Sequence, residues 1–250
     1  MLKQLILLTL VISFPVTLPA ASAIHVDNTI YASLLKKYVS DGRVDYDGFK
    51  TEENRLDQYL DILSRTDTES LPADERFAFY INAYNAFTIK LILTRYPEID
   101  SIKDIGGLFS SPWSIRFIEL DGQKISLDTI EHDILRPRFR DARIHFAVNC
   151  ASKGCPPLRN EPYEGNRIDR QLDDQTRRFL NAPGNVVFEN GTLYLSKLFK
   201  WFEEDFTPSP VAFVKSYAAG ELEKKLDARS ESARISYLNY DWSLNRSPRQ

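Results

Sequence analysis

Two cysteines, one methionine and three histidines are a small stock of soft and titratable side chains for 250 residues. With two thiols the chain is no disulfide-stapled scaffold and must stand on a hydrophobic core. No block of Lys and Arg stands out and the formal net charge is −3, which argues against a nucleic-acid partner. Gly106-Gly107 has neither the Gly-rich pattern nor the Lys-Ser/Thr of a phosphate-binding loop. There is no dinucleotide-binding fingerprint, no serine nucleophile elbow and no internal repeat. Past residue 23 no apolar run is long enough to cross a bilayer, which takes about 20 residues, so no integral membrane segment is expected.

The first residues read as a secretory signal peptide, residues 1–23. Lys3 supplies a positive start, Leu5 to Phe14 a short apolar run broken by Pro15 and Pro19, and Ala21-Ser22-Ala23 a small-x-small cleavage site. No Cys follows that run, so a lipid anchor is not expected. The mature chain is therefore expected to be exported, to the periplasm or the medium. Residues 24–250 read as one domain with a disordered tail at 247–250. An apolar content of 43%, with 15 Phe, 12 Tyr and 3 Trp, is ample for its core.

Along the mature chain, Asp27 caps a helix carrying Ile30, Tyr31, Leu34, Leu35 and Tyr38, and Asp41-Gly42 breaks it. A second amphipathic helix runs from about Thr51, with Leu56, Tyr59, Leu60 and Leu63 at helical spacing. From Asp74 to Thr94 the chain is apolar nearly all round, which predicts a central buried helix. Asn82 and Asn85 interrupt it at i, i+3 beside Tyr84; buried amides must find partners, so they either tie a loop or line a pocket. Trp113 to Leu120 alternates as a strand, Asp121-Gly122 turns it, and a helix from Leu127 ends before Pro137. Asn166 caps a further helix, Asn190-Gly191 turns a second hairpin, Ser196 opens a helix rich in aromatics, and Pro210 starts a last helix ending at Gly220. Arg234 to Leu238 is a final strand. The fold class is α+β: one helix-rich domain with antiparallel β-hairpins packed on a central buried helix.

Both cysteines fall in one stretch, Arg143 to Arg159. Ile144 to Val148 reads as a strand that delivers Cys150 into a loop of small residues closed by Cys155, Pro156 and Pro157. In a regular strand His145 and Cys150 lie on opposite faces, about 16 Å apart at roughly 3.3 Å per residue. That parity favours His132, on the preceding helix, as the partner of the thiol. Glu131 is the candidate to orient the base, or alternatively caps its own helix by reaching back toward Asp128.

Several of these stretches carry a resemblance. Phe79-Tyr80-Ile81-Asn82-Ala83-Tyr84-Asn85-Ala86, Ser126-Leu127-Asp128-Thr129-Ile130-Glu131-His132 and His145-Phe-Ala-Val-Asn149-Cys150-Ala-Ser-Lys-Gly-Cys155-Pro-Pro-Leu158 together resemble the family named domain of unknown function 547. Gly42 to Tyr46 and Tyr240 to Asn245 are similar to its exported bacterial members. The resemblance implies a family but no activity, so function must be argued from the site.

Three functions compete. In the first, Cys150 is the nucleophile of a hydrolase or acyl transferase acting on a peptide, amide or thioester outside the cytoplasm, its partner a small molecule or peptide, with His132 or His145 as base and Glu131 or an Asn as orienter. The Ala151 and Ser152 amides are its oxyanion donors, and the arginines at 136, 138, 140 and 143 favour its thiolate. In the second, Cys150 and Cys155 cycle through a disulfide, a bridge whose short loop makes it reducible. In the third, the chain is a binding module whose pocket is lined by Asn82, Tyr84, Asn85, Asn149 and Ser152, with Trp113 and Trp201 nearby. Two His and two Cys are numerically a zinc set, but their spacing fits no familiar finger, so neither metal nor cofactor is expected.

Overall fold

A computed structural model of the protein describes residues 25–107, 110–229 and 233–248. The signal-peptide reading of residues 1–23 lies outside them, as do Leu108 in the glycine loop and the last two residues. The Asp27 carboxylate accepts the Thr29 amide at 2.9 Å and opens α1 (Thr29–Tyr38). Asp41-Gly42 does more than break that helix. It turns a hairpin, β1 (Val39–Ser40) against β2 (Arg43–Val44), with both central residues at positive φ. Two amphipathic helices follow, α2 (Tyr46–Thr51) and α3 (Glu53–Arg65), and Tyr59 of α3 stacks on Tyr31 of α1 at 4.6 Å.

The expected central helix is α4 (Ala73–Leu93), in which every residue from Phe77 to Leu93 except Lys90 is buried. Lys90 escapes by pairing with Glu53 and Asp57 of α3. The alternating stretch after Trp113 is strand only at its end, β3 (Ile118–Leu120), paired with β4 (Gln123–Ile125). Trp113 itself sits in a 3₁₀ turn, Pro112–Ser114, capped by Ser111.

Beyond β4 the helix does not stop before Pro137. A π-helical segment, Thr129–Leu135, runs directly into α5 (Arg136–Phe139) with Pro137 in its first turn. A proline in α register clashes with the carbonyl four residues back. The wider π turn just ahead relieves that clash, and π segments recur at functional sites.

The strand expected at 144–148 is instead a short helix, α6 (Ile144–Ala147), with only Val148 extended. The β-branched and aromatic residues of that run suit a strand, but Asp141 decides the outcome. Its carboxylate accepts the Arg143 amide at 2.9 Å, its carbonyl accepts the Ile144 amide at 3.1 Å, and the turn propagates.

The remainder comprises α7 (Ile168–Leu180), β5 (Val186–Glu189), β6 (Thr192–Leu195), α8 (Leu198–Trp201), α9 (Pro210–Tyr217), α10 (Gly220–Arg229) and β7 (Arg234–Tyr237). Gly220, expected to end a helix, begins α10. β5 and β6 form the antiparallel hairpin turned by Asn190-Gly191, while β7 adds to β6 in parallel. The architecture is α+β, helix-rich with small sheets.

Two hydrophobic clusters divide the interior. One surrounds α4; the other gathers Phe146, Phe179, Leu193, Phe199, Phe206 and Val214 between α7, the three-stranded sheet and the last helices. α6 straddles them, with Ile144 in the first and Phe146 in the second. His145 lies between those two anchors, which is what fixes the site described next.

Candidate functional site

The loop after α6 is held by amides. Asn85 of α4 donates to the Ala147 carbonyl at 3.0 Å and accepts the Asn149 amide at 2.7 Å, so one buried side chain sets the exit of α6. Asn82 does the same for Tyr163, donating to its carbonyl and accepting its amide, both at 2.8 Å. Asn149 turns inward: its amide nitrogen donates to the Pro156 carbonyl at 2.8 Å and its oxygen accepts the Ala151 amide at 3.0 Å. Ala151 takes φ +60°, a strained left-handed conformation for a residue with a Cβ. These bonds shape the Cys loop from behind.

The C-terminal segment straps the loop from the other side. The amides of Lys153 and Gly154 donate to the carbonyls of Ser243 and Asp241 at 2.8 and 2.9 Å, and the Asn245 amide donates to Ala151 at 3.1 Å. A Cβ on Gly154 would come within 2.9 Å of the Asp241 nitrogen, so the strap requires glycine there. Ser247, where the sequence predicts a frayed tail, still donates to the Val44 carbonyl at 2.8 Å.

So held, the half-buried Cys150 faces a cavity of about 220 Å³. Tyr84 of α4, Asp128, Glu131 and His132 of the π-helical turn, and His145 of α6 form one side. Trp113, Trp201, Phe202, Tyr240 and Trp242 form an aromatic side, so all three tryptophans of the chain meet here.

The Cys150 sulfur sits 3.2 Å from the Ser152 hydroxyl and 3.1 Å from the Tyr240 hydroxyl. Hydrogen bonds from the Cys155 thiol, these two hydroxyls and the Ser152 amide bring its thiol down to about 7, against the opposing effect of burial. Burial pushes the Cys155 thiol well up. The Cys150 amide donates to the Cys155 sulfur at 3.0 Å, yet the two sulfurs are not bonded and both thiols are free.

His145 is buried, with Nε2 at 2.7 Å from Asp205 and its ring stacked on Phe202 at 3.9 Å. Nδ1 has no hydrogen-bond partner; its nearest carboxylate is Glu131, at 3.9 Å. Burial outweighs the attraction of Asp205 and holds the ring below its usual range, hence neutral, with Nε2–H donated to Asp205 and the Nδ1 lone pair free. Asp205 receives a forked bond from Arg136 at 2.6 and 3.0 Å and stays ionised, its carboxyl held low by His145 and Arg136 against burial.

Glu131 is buried and takes a hydrogen bond from the Tyr84 hydroxyl, rather than reaching back to cap its helix; burial raises its carboxyl. His132 is exposed at the rim, its Nδ1 3.2 Å from an Arg136 nitrogen.

Of the residues singled out in the sequence, Cys150, Cys155, His132, His145, Glu131 and Tyr84 therefore share one cavity. Asn82, Asn85 and Asn149 do not line it; they hold backbone. Ser152 reaches it through its bond to Cys150. With 144–147 helical, the parity that set His145 apart from Cys150 no longer applies, and with it goes the preference for His132. Neither ring hydrogen-bonds Cys150. The Ala151 amide is not a free oxyanion donor, being bonded to Asn149. Nor do the arginines act on the thiol: Arg136 pairs with Glu204 and Asp205, Arg138 with Glu69, and Arg143 with Asp141, Asp169 and Asp173.

Asp205, Tyr240, Trp242, Phe202 and Asp128 are the cavity and support residues that sequence reasoning missed. Tyr240 and Trp242 lie in an aromatic C-terminal stretch whose sequence does not show that it folds back onto the Cys loop. Asp205 has none, since it meets His145 across 60 residues of chain. Among the described residues no group of three His, Cys, Asp or Glu is placed to hold a metal ion, and no helix is long and apolar enough to cross a membrane.

Fold and site thus define an α+β protein with an acidic thiol in an aromatic cavity. The family model described as protein of unknown function, DUF547, matches residues 68–180, and this match supports that family for the chain. The matched segment runs from the turn before α4 to the end of α7 and so includes Cys150, Cys155 and the Glu131–His132 turn. No curated protein and no solved structure matches the chain.

Proposed function

We propose that the cavity is the active site of a cysteine-dependent hydrolase or acyl transferase, exported from the cytoplasm, with Cys150 as its nucleophile. The observation that carries this reading is the Cys150 sulfur itself: half-buried, open to a cavity, and supplied with hydrogen bonds that bring its thiol to about 7. Such a thiol is substantially ionised at neutral pH without a histidine in contact with it. His145 and Glu131 are then free to serve the other steps.

The Cys150 thiolate attacks an acyl carbon; the S–C bond forms and the bond to the leaving group breaks. The leaving group takes its proton from the Glu131 carboxyl, whose hold on a proton burial strengthens. In the second half, water attacks the thioester, its proton passes to the Nδ1 lone pair of His145, and the thiolate departs. That proton returns to the Glu131 carboxylate, 3.9 Å away, so the cycle closes on an acid and a protonated leaving group. Asp205 steadies the imidazolium through Nε2. Where a second nucleophile replaces water the same steps give acyl transfer.

The test is intact mass of the purified protein after mixing with activated esters and thioesters. An acyl adduct on Cys150 that forms and decays with turnover, and is absent in Cys150→Ala, supports the reading. A reactive Cys150 that never acquires or releases an acyl group overturns it. A second reading has one observation in its favour, the hydrogen bond between the two cysteine thiols: Cys150 and Cys155 form a dithiol that closes to a disulfide by exchange with an external disulfide, which is reduced to two thiols. Cys155→Ala separates the two, because it leaves acyl turnover possible and abolishes any dithiol couple. Export, which rests on residues 1–23, is tested by cell fractionation.

A further inference from the structure

We propose that the group this cavity selects is positively charged, so that the substrate is an acyl compound bearing an ammonium close to the carbonyl that Cys150 attacks. The inference rests on the reading of Cys150 as the cavity's nucleophile and adds the substrate's charge to it. Four observations carry it.

No Lys or Arg lines the cavity, whereas two carboxyl groups, Asp128 and Glu131, do. An anionic substrate would meet the Asp128 carboxylate there, with no Lys or Arg in the lining to offset it. The Asp128 carboxyl, moreover, is unspent. Half-buried at the start of the π-helical turn, it forms no side-chain cap and no ion pair among the described residues. A carboxylate in that position at a cavity wall has its acceptor capacity available for a ligand's N–H groups.

The same lining is rich in rings. Trp201, Tyr240 and Trp242 form a mutually packed cluster with centroids 4.6 to 5.6 Å apart, and Trp113 packs on Trp242 at 5.7 Å. Indole rings attract cations through their negative faces. This cluster already does so at its outer edge, where the Lys103 ammonium lies 3.7 Å over the Trp242 ring.

The fourth observation is the buried Nδ1 of His145, which has no partner and faces the Glu131 side. In the resting site burial disfavours the charged form of that ring, so it presents no positive charge to an incoming ammonium. At about 220 Å³ the cavity is smaller than the roughly 300–1,000 Å³ of drug-sized pockets, so it takes one compact group rather than a length of polymer. Carboxyl groups and aromatic rings around one small volume suit an alkylammonium better than a carboxylate or a neutral chain.

The full chain is titrated with three probes of one length, n-butylammonium, n-butanol and n-butyrate, following intrinsic fluorescence. All three tryptophans line the cavity, so the signal reports on it. The expected order is butylammonium first, about tenfold tighter than butanol, with butyrate weakest. Asp128→Asn should shrink the ammonium advantage several-fold while leaving butanol unchanged. Butanol binding as tightly as butylammonium, butyrate binding best, or no response to butylammonium would each overturn the proposal.

The same probes are then tested for slowing iodoacetamide labelling of Cys150. Protection by butylammonium at its binding concentration supports both readings. Tight butylammonium binding without protection overturns the assignment of Cys150 to this cavity's chemistry and leaves a cation-binding pocket. Protection by butanol as strong as by butylammonium overturns the charge selectivity and leaves the nucleophile standing.

Discussion

His145 and Asp205 meet at 2.7 Å through Nε2, and the other ring nitrogen of His145 is buried without a partner. A base whose orienter is in place and whose lone pair is uncommitted is arranged for a proton that has yet to arrive. That arrangement, and the thiol across the cavity from it, lead to four predictions.

Labelling of Cys150 by iodoacetamide should follow the thiolate fraction and rise with pH through a midpoint near 7. Since the Cys155 thiol is the largest of the bonds lowering Cys150, Cys155→Ala should move that midpoint upward, toward the ordinary thiol range near 8.5. Tyr240→Phe, which deletes one hydroxyl donor, should move it in the same direction by less. A midpoint unchanged in both variants would mean that these bonds do not set the acidity. Mass spectrometry of the labelled peptide gives the rate at each pH.

Asp205→Asn keeps the shape of the side chain and removes its charge. Arg136 then loses its forked partner, and the imidazolium of His145 loses its counter-charge. Acyl turnover should fall on the order of 10²-fold, with the Cys150 labelling rate little altered because Asp205 does not touch the sulfur. A parallel loss of labelling would show that the substitution had disturbed the loop instead.

Burial holds the folded-state imidazole of His145 below its usual value of about 6.5. As pH falls through about 6.5 the unfolded chain takes up a proton that the folded chain refuses. The stability present above that pH is therefore lost progressively below it, until the folded ring itself titrates. Thermal melts between pH 7 and pH 5 should show a fall in Tm that is shallower in His145→Gln. Identical slopes would place the acid sensitivity elsewhere.

Asn85→Ala should destabilise the protein by about 2–4 kcal/mol, since it leaves the Ala147 carbonyl and the Asn149 amide unpaired in the interior. Urea unfolding measures the loss. Because the same two bonds set the exit of α6, the variant should also label at a Cys155 that the native fold keeps buried.

Much of the fold can be read from periodicity and turn chemistry. α4 is apolar around its whole circumference, which leaves it only the centre of the molecule, and Asp121-Gly122 and Asn190-Gly191 each turn a hairpin. α6 could not be read this way. Four apolar residues and a histidine in a row suit a strand or a buried helix equally, and the choice rests on the single turn made by Asp141. The site was half legible for a related reason. Cys150, Glu131 and His145 were visible as chemistry, but beside Cys155 and Ser152 the thiol is lowered by a tyrosine 90 residues away, and what orients the imidazole is an aspartate 60 residues away. Distances along the chain carry no trace of such pairings. The amides were visible as a demand for partners, and that demand is met by backbone, which is why they hold the loop in place of lining the cavity.

The strap across the Cys loop also sets a timetable. Cys150 leaves the ribosome long before Tyr240 and Trp242, so a growing chain carries a loop whose last hydrogen-bond donor and last wall have not been made. The donors from Cys155 and Ser152 belong to the loop itself, so what chain growth supplies last is the Tyr240 hydroxyl and the closing rings of the cavity, which arrive when the final segment docks on Lys153 and Gly154.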